Sequence, residues 1–133
     1  MSRRGVRENI FKLLFHIEFN SREEMDEQIR LFYSHEENAV SDEEYQAITE
    51  KLNRILDHLP EIDTQLAEKT SGWSLNRLGK VDLTILRLAV YEIQQDETVD
   101  TALAINEAVE LAKKYGQKES SGFVNGVLSK FAG

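Results

Sequence analysis

Apolar positions recur at helical spacing along this chain from one end to the other. Val6, Ile10, Leu13, Leu14 and Ile17 form a stripe over about residues 3–19, the three-to-four period that one buried face of an α-helix requires. Ser21 followed three residues later by Glu24 predicts a capping box, and Met25, Ile29 and Phe32 then predict a second helix over about 22–33. Residues 34–40 are polar and read as a loop. Ser41 with Glu44 repeats the capping signal, and Tyr45, Ile48, Leu52, Ile55 and Leu59 descend one face of a long third helix. Pro60 is expected to end that helix or to open the next short turn, because proline lacks an N–H and its ring crowds the preceding turn. Ile62 and Leu66 then mark a short helix over 61–70.

Gly72-Trp73-Ser74 interrupts the pattern, with Trp73 reading as a core anchor. From Val81 to Ile93 nearly every position is apolar, and Asp82, Thr84 and Arg87 do not alternate as a half-buried strand demands. A helix apolar on all sides belongs in the middle of a bundle. Gln94 to Asp100 is a polar loop, too short to separate domains. Thr101 is expected to cap the next helix, with Ile105, Ala108, Val109 and Ala112 facing inward, Lys113 and Lys114 in its last turn and Gly116 as the residue just past its end. Ser120 or Ser121 starts the last helix, which turns Phe123, Val124, Val127, Leu128 and Phe131 inward; Gly122 and Gly126, one turn apart, permit close helix approach. Asn106 and Glu107 sit between apolar neighbours and read as bonded within the bundle. The expected class is all-α, with residues 1–133 as a single domain and no internal repeat.

Composition narrows the function more than the fold. With 133 residues the chain has one domain's length. Cysteine is absent, which excludes a disulfide framework, a thiolate zinc site and a cysteine nucleophile. One proline and seven glycines disfavour a sandwich or barrel rich in tight turns. No apolar run approaches the roughly 18 residues of a membrane span, and the start of the chain lacks a signal peptide's apolar core, so the expected location is cytoplasmic. His16, His35 and His58 are scattered and share no metal-binding spacing. No phosphate-cradling glycine loop or nucleophile elbow is present. Neither catalysis nor a metal or other cofactor is expected.

Charge is distributed unevenly. The formal net charge is -8, yet residues 1–20 hold four bases against two acids; residues 21–70 hold fourteen acids against five bases, and residues 71–133 hold eight against seven. On a wheel at about 100° per residue, Arg4, Arg7, Phe11, Phe15 and Glu18 gather on a face beside the apolar stripe of the first helix, with Arg3 between. Guanidinium groups next to aromatic rings suit single-stranded nucleic acid, phosphates meeting the cations and unpaired bases stacking on the rings. The plainer account is that Phe11 and Phe15 widen a stripe packed on two neighbours. A second cluster, Lys113, Lys114 and Lys118, lies beside the start of the last helix, where backbone N–H groups of Ser121, Gly122 and Phe123 favour a phosphate; its plainer account is compensation of the helix dipole. The acidic segment 23–44 also suits a basic protein partner.

The stretch Ala104-Ile-Asn-Glu-Ala-Val-Glu-Leu-Ala-Lys-Lys-Tyr-Gly116, followed by Phe123-Val-Asn-Gly-Val-Leu128, strongly resembles the NusB family of bacterial transcription antitermination factors. Trp73 with Leu75, Arg77 and Leu78, the run Ile85-Leu-Arg-Leu-Ala-Val-Tyr-Glu92, and the opening Arg3-Arg4 and Arg7-Glu8 ahead of Leu14-Phe15 are similar to the same family. The resemblance implies about seven helices arranged as two packed helical bundles. It also implies a factor that pairs with NusE, a small-subunit ribosomal protein, binds boxA-type single-stranded RNA of ribosomal RNA operons, and joins RNA polymerase and other Nus factors to pass terminators. By position it implies RNA contacts from Arg3, Arg4, Arg7 and Phe15 on one edge, and from Lys113, Lys114, Lys118, Glu119 and Phe123 on the other. Four positions depart from the family pattern: Gly5 interrupts the arginines, Phe15 stands where tyrosine is common, Asp100 where proline is frequent and Gly122 where lysine is usual. Phe15 retains a stacking face but no hydroxyl. A second expectation keeps the acidic face as a docking module with little direct RNA contact. A third is the NusB-like appendage of certain RNA methyltransferases, disfavoured because no methyltransferase domain follows.

Overall fold

A computed structural model describes residues 1–70, 75 and 78–132. Trp73 and Arg77, and with them part of the predicted break, lie outside the described residues. Six α-helices follow one another: α1 Arg3–Phe15, α2 Met25–Ser34, α3 Asp42–Lys69, α4 Lys80–Gln95, α5 Thr101–Tyr115 and α6 Ser120–Ser129. Short 3-10 turns at His16–Glu18, Arg22–Glu24 and Glu36–Asn38 link the first three. The all-α expectation holds, with six helices among the described residues where about seven were expected.

The missing boundary is Pro60, which lies inside α3. Its ring is exposed, and the apolar stripe runs through it without losing phase: Leu52, Ile55, Ile62 and Leu66 are all buried. A proline inside a helix costs about 3 kcal/mol. Burying Ile62 and Leu66 returns about 1.5–3 kcal/mol each, so continuing the stripe wins over breaking it.

The chain divides into two compact units, Met1–Asp57 and His58–Gly133. In the first unit, Ile10, Leu13 and Leu14 of α1 pack in a core with Met25 and Ile29 of α2 and Ile48 and Leu52 of α3. Both predicted capping boxes form. The Ser21 N–H donates to the Glu24 carboxylate at 2.7 Å. The Ser41 N–H donates to Glu44 at 3.0 Å, while the Glu44 N–H donates back to Ser41 Oγ at 3.1 Å. Those bonds hold both carboxyls below their ordinary range, since they stabilise the ionised form.

In the second unit, α4 packs on α5 and α6. Leu83, Ile85, Leu86, Leu88, Ala89, Val90 and Tyr91 are all buried, as a helix apolar on every side requires. Arg87 of α4 forks onto Asp63 of α3 through Nε at 2.9 Å and Nη2 at 2.8 Å, a bidentate pair of the stronger kind. Helix α5 is capped one residue earlier than expected: the Leu103 N–H donates to Asp100 Oδ1 at 2.9 Å, and Thr101 is the first helical residue. Its buried seam is also turned from the predicted one. Ala104, Ala108, Leu111 and Ala112 are inside, with Ile105 and Val109 half-buried and Asn106 exposed. Three alanines one turn apart bring the neighbouring backbone close. Phe123 and Phe131 of the last segment are half-buried rather than inside.

Candidate nucleic-acid interface

The first cluster forms at the start of α1. Ser2 caps it, accepting from the Gly5 N–H at 3.0 Å, and Arg3 and Arg4 follow, both exposed. Helix N-termini carry partial positive charge and favour acids. Acids stand in the first turn of α2 (Asp26 and Glu27), α3 (Asp42, Glu43 and Glu44) and α4 (Asp82), and at the capping position of α5 (Asp100) and α6 (Glu119), whose first turns have none. In α1 the first turn has no acid and carries arginines. Two guanidinium groups at a positive helix end oppose the helix dipole at about 0.3–1 kcal/mol each, and the Met1 amino group beside them meets the Glu44 carboxylate at 2.9 Å.

The other residues of this cluster separate by depth. Arg7 is 7% exposed and Phe11 only 4%. Phe11 therefore belongs to the widened core stripe and offers no face to a base. Arg7 is held within the protein. Phe15 is half-buried and meets Phe19 edge-on, ring centroids 5.4 Å apart, and Phe19 is 63% exposed.

A groove of about 690 Å3 lies between the start of α4 and the junction of α5 and α6, lined in part by Lys80, Asp82, Tyr115, Glu119, Ser120 and Phe123. Lys113, Lys114 and Lys118, the predicted second cluster, are exposed around the junction of α5 and α6. Lys113 Nζ lies 3.6 Å from Glu110, and Lys114 Nζ lies over the Tyr115 ring at 5.4 Å from its centroid. Gly116 shapes the junction for a reason other than the one expected. Its φ is -89° and its ψ -169°, extended backbone that any residue adopts. A Cβ there would lie 2.6 Å from Ser120 Cβ and Oγ and 2.7 Å from the Ala112 carbonyl oxygen. Glycine is needed for close approach, which lets buried Ser120 accept from the Gln117 N–H at 2.9 Å. The start of α6 also departs from the anion-site expectation: Glu119 is the capping residue, and its carbonyl takes the Phe123 N–H at 3.1 Å. Gly122 and Gly126, expected to admit a neighbouring helix, are exposed, and a Cβ added at either would have no atom within 4 Å.

Residues 4–133 match the model of the NusB family. The chain belongs to the NusB family. It is 52% identical over 132 residues to the transcription antitermination protein NusB of Agathobacter rectalis, covering 99% of this chain and 100% of that one. It is 48% identical to the NusB of Lachnoclostridium phytofermentans over 98% of each. Among solved structures it is similar to T. maritima NusB, with a TM-score of 0.84 and 34% identity over 99% of this chain and 91% of that one. It is also similar to a chain in a crystal structure of antitermination factors NusB and NusE in complex with double-stranded RNA, with a TM-score of 0.77 and 28% identity over 96% and 93% of the two chains.

For this family member, sequence reasoning missed Phe19, Lys80 and Tyr115. Phe19 stands one turn beyond Phe15 and Tyr115 directly after the lysine pair, so an aromatic beside a candidate contact was a usable signal. Lys80 had none, because only folding brings the start of α4 beside α6. Among the described residues no cluster of His, Asp or Glu could hold a metal, and no helix is long and apolar enough to cross a membrane.

Proposed function

We propose that this chain is a transcription antitermination factor that binds boxA-type RNA together with NusE and acts in the cytoplasm by docking within the RNA polymerase assembly, without catalysis. The observation that carries the reading is the first turn of α1, which holds exposed Arg3 and Arg4 and no acidic residue of its own, in a chain of net charge -8. The NusB relatives and the NusB–NusE–RNA neighbour support it.

In the first unit, Arg3 and Arg4 meet phosphates and Phe15 offers a ring edge to a base, extended by Phe19. Arg7 supports the turn from within. In the second unit, Lys113, Lys114 and Lys118 meet phosphates, the Phe123 ring borders the groove, and the Glu119 carboxylate accepts from a base amino group rather than approaching a phosphate. The neighbour's RNA is double-stranded, whereas rings that stack on bases require unpaired ones.

The test is a pull-down of NusE by this chain with and without boxA RNA, in single-stranded and duplex forms. RNA-enhanced capture that prefers the single strand is the expected result; capture indifferent to RNA would favour the reading in which the exposed acids around Asp42 and Glu43 recognise a basic partner.

A further inference from the structure

The arginine-bearing turn is intrinsically weak. Gly5 is a poor helix former, costing about 1 kcal/mol relative to alanine, and Arg3 and Arg4 oppose the helix dipole. Such a turn should fray and scatter its guanidinium groups. The Ser2 cap holds it in part, as does the Met1 amino group through the Glu44 carboxylate at 2.9 Å, and a further tie runs to α2. Asn9, one turn along α1, reaches back with Nδ2 to the Gly5 carbonyl at 3.0 Å. Its Oδ1 accepts from the Tyr33 hydroxyl of α2 at 3.1 Å. The orientation of the amide is fixed by chemistry: the Gly5 carbonyl only accepts, so the NH2 must face it, which leaves the oxygen for the one partner that can donate. The Tyr33 ring is in turn fixed edge-on between Phe32 at 5.0 Å and Tyr45 at 5.3 Å.

We infer that Tyr33, acting through Asn9, is a positioning residue that braces the first turn of α1 and so presents Arg3 and Arg4 in a fixed geometry to the RNA backbone. The inference rests on the function proposed above and names a residue on α2, 24 positions from its partner. Burial, with Tyr45 and Glu44 nearby, pushes the Tyr33 hydroxyl up from 10.0 to about 12; at either value it is a donor at physiological pH. A brace of this kind acts on affinity by limiting the freedom lost when the arginines are immobilised on RNA.

The test is a double-mutant cycle between Tyr33→Phe and the pair Arg3→Ala with Arg4→Ala, read by titration of a single-stranded boxA-type RNA oligonucleotide in the presence of NusE. Tyr33→Phe removes one hydroxyl and retains the ring packing. It should weaken binding about threefold to tenfold, the range of one hydrogen bond, and should have no further effect once the arginines are gone. Amide exchange in the free protein should quicken at Val6 and Arg7 without a matching change at Leu52 in α3. Unchanged affinity in Tyr33→Phe, or an equal loss in the arginine-free background, would overturn the inference, because a general structural role predicts the latter. Should the arginine pair itself prove dispensable for RNA, the proposed interface fails, while exchange at Val6 still decides separately whether Tyr33 braces the turn.

Discussion

Three glycines of the C-terminal segment look alike in sequence and differ in what surrounds them. At Gly116 a methyl group would meet Ser120 and the Ala112 carbonyl at 2.6–2.7 Å. Gly116→Ala is expected to lower stability by about 1–3 kcal/mol, the usual cost of overpacking, seen as a lower midpoint in thermal unfolding. Gly122 and Gly126 face open space, so Gly122→Ala should raise stability by up to about 1 kcal/mol through helix propensity alone. Equal responses at 116 and 122 would contradict this account of the junction. Titration gives a second check at this scale. One of the four tyrosines should ionise near pH 12, and it should disappear in Tyr33→Phe. Because its folded value lies above the ordinary 10.0, its contribution to stability is complete below pH 10 and is lost as pH rises towards 12.

The helices show which physical signals reach the sequence and which do not. Capping is local, so Ser21 with Glu24 and Ser41 with Glu44 were legible from a four-residue pattern. Both carboxyls are held below 4.5; the boxes therefore stabilise the protein above that pH and lose this contribution as pH falls through the lowered values. Acid unfolding of Glu24→Gln and Glu44→Gln should show a weaker dependence on pH in that range than the parent. Pro60 misleads because its local cost is visible while the burial of Ile62 and Leu66 depends on partners distant in sequence. Pro60→Ala should stabilise α3 by about 2 kcal/mol in chemical unfolding; no gain would mean that the helix is already arranged around the proline. The wheel placed Arg7 and Phe11 with Arg3 and Arg4 but could not show how many neighbours α1 meets. The brace from Tyr33 was equally hidden, since nothing in the residues near Asn9 names its partner. The turned seam of α5 has the same origin: alanine and valine are both apolar, and only packing decides which faces in.

At the scale of the whole molecule, a chain of net charge -8 is a poor generic ligand for a polyanion, and binding must come from where its cations stand. The two units supply cations in different ways, the first by arginines set at a helix start and the second by lysines around the junction of α5 and α6. Family membership was legible because the Ala104–Gly116 and Phe123–Leu128 stretches are long and their residues are fixed by packing and by the junction at Gly116. The contact residues were only partly legible, because exposure decides which cations reach solvent. The most direct test is RNA binding measured against salt for the parent and for Arg3→Ala with Arg4→Ala. With about five phosphates neutralised, the logarithm of affinity should fall against the logarithm of salt with a slope of about -3.5, and losing both arginines should flatten it by about 1.4. A parent slope near zero, or a slope that survives the double substitution unchanged, would contradict the account.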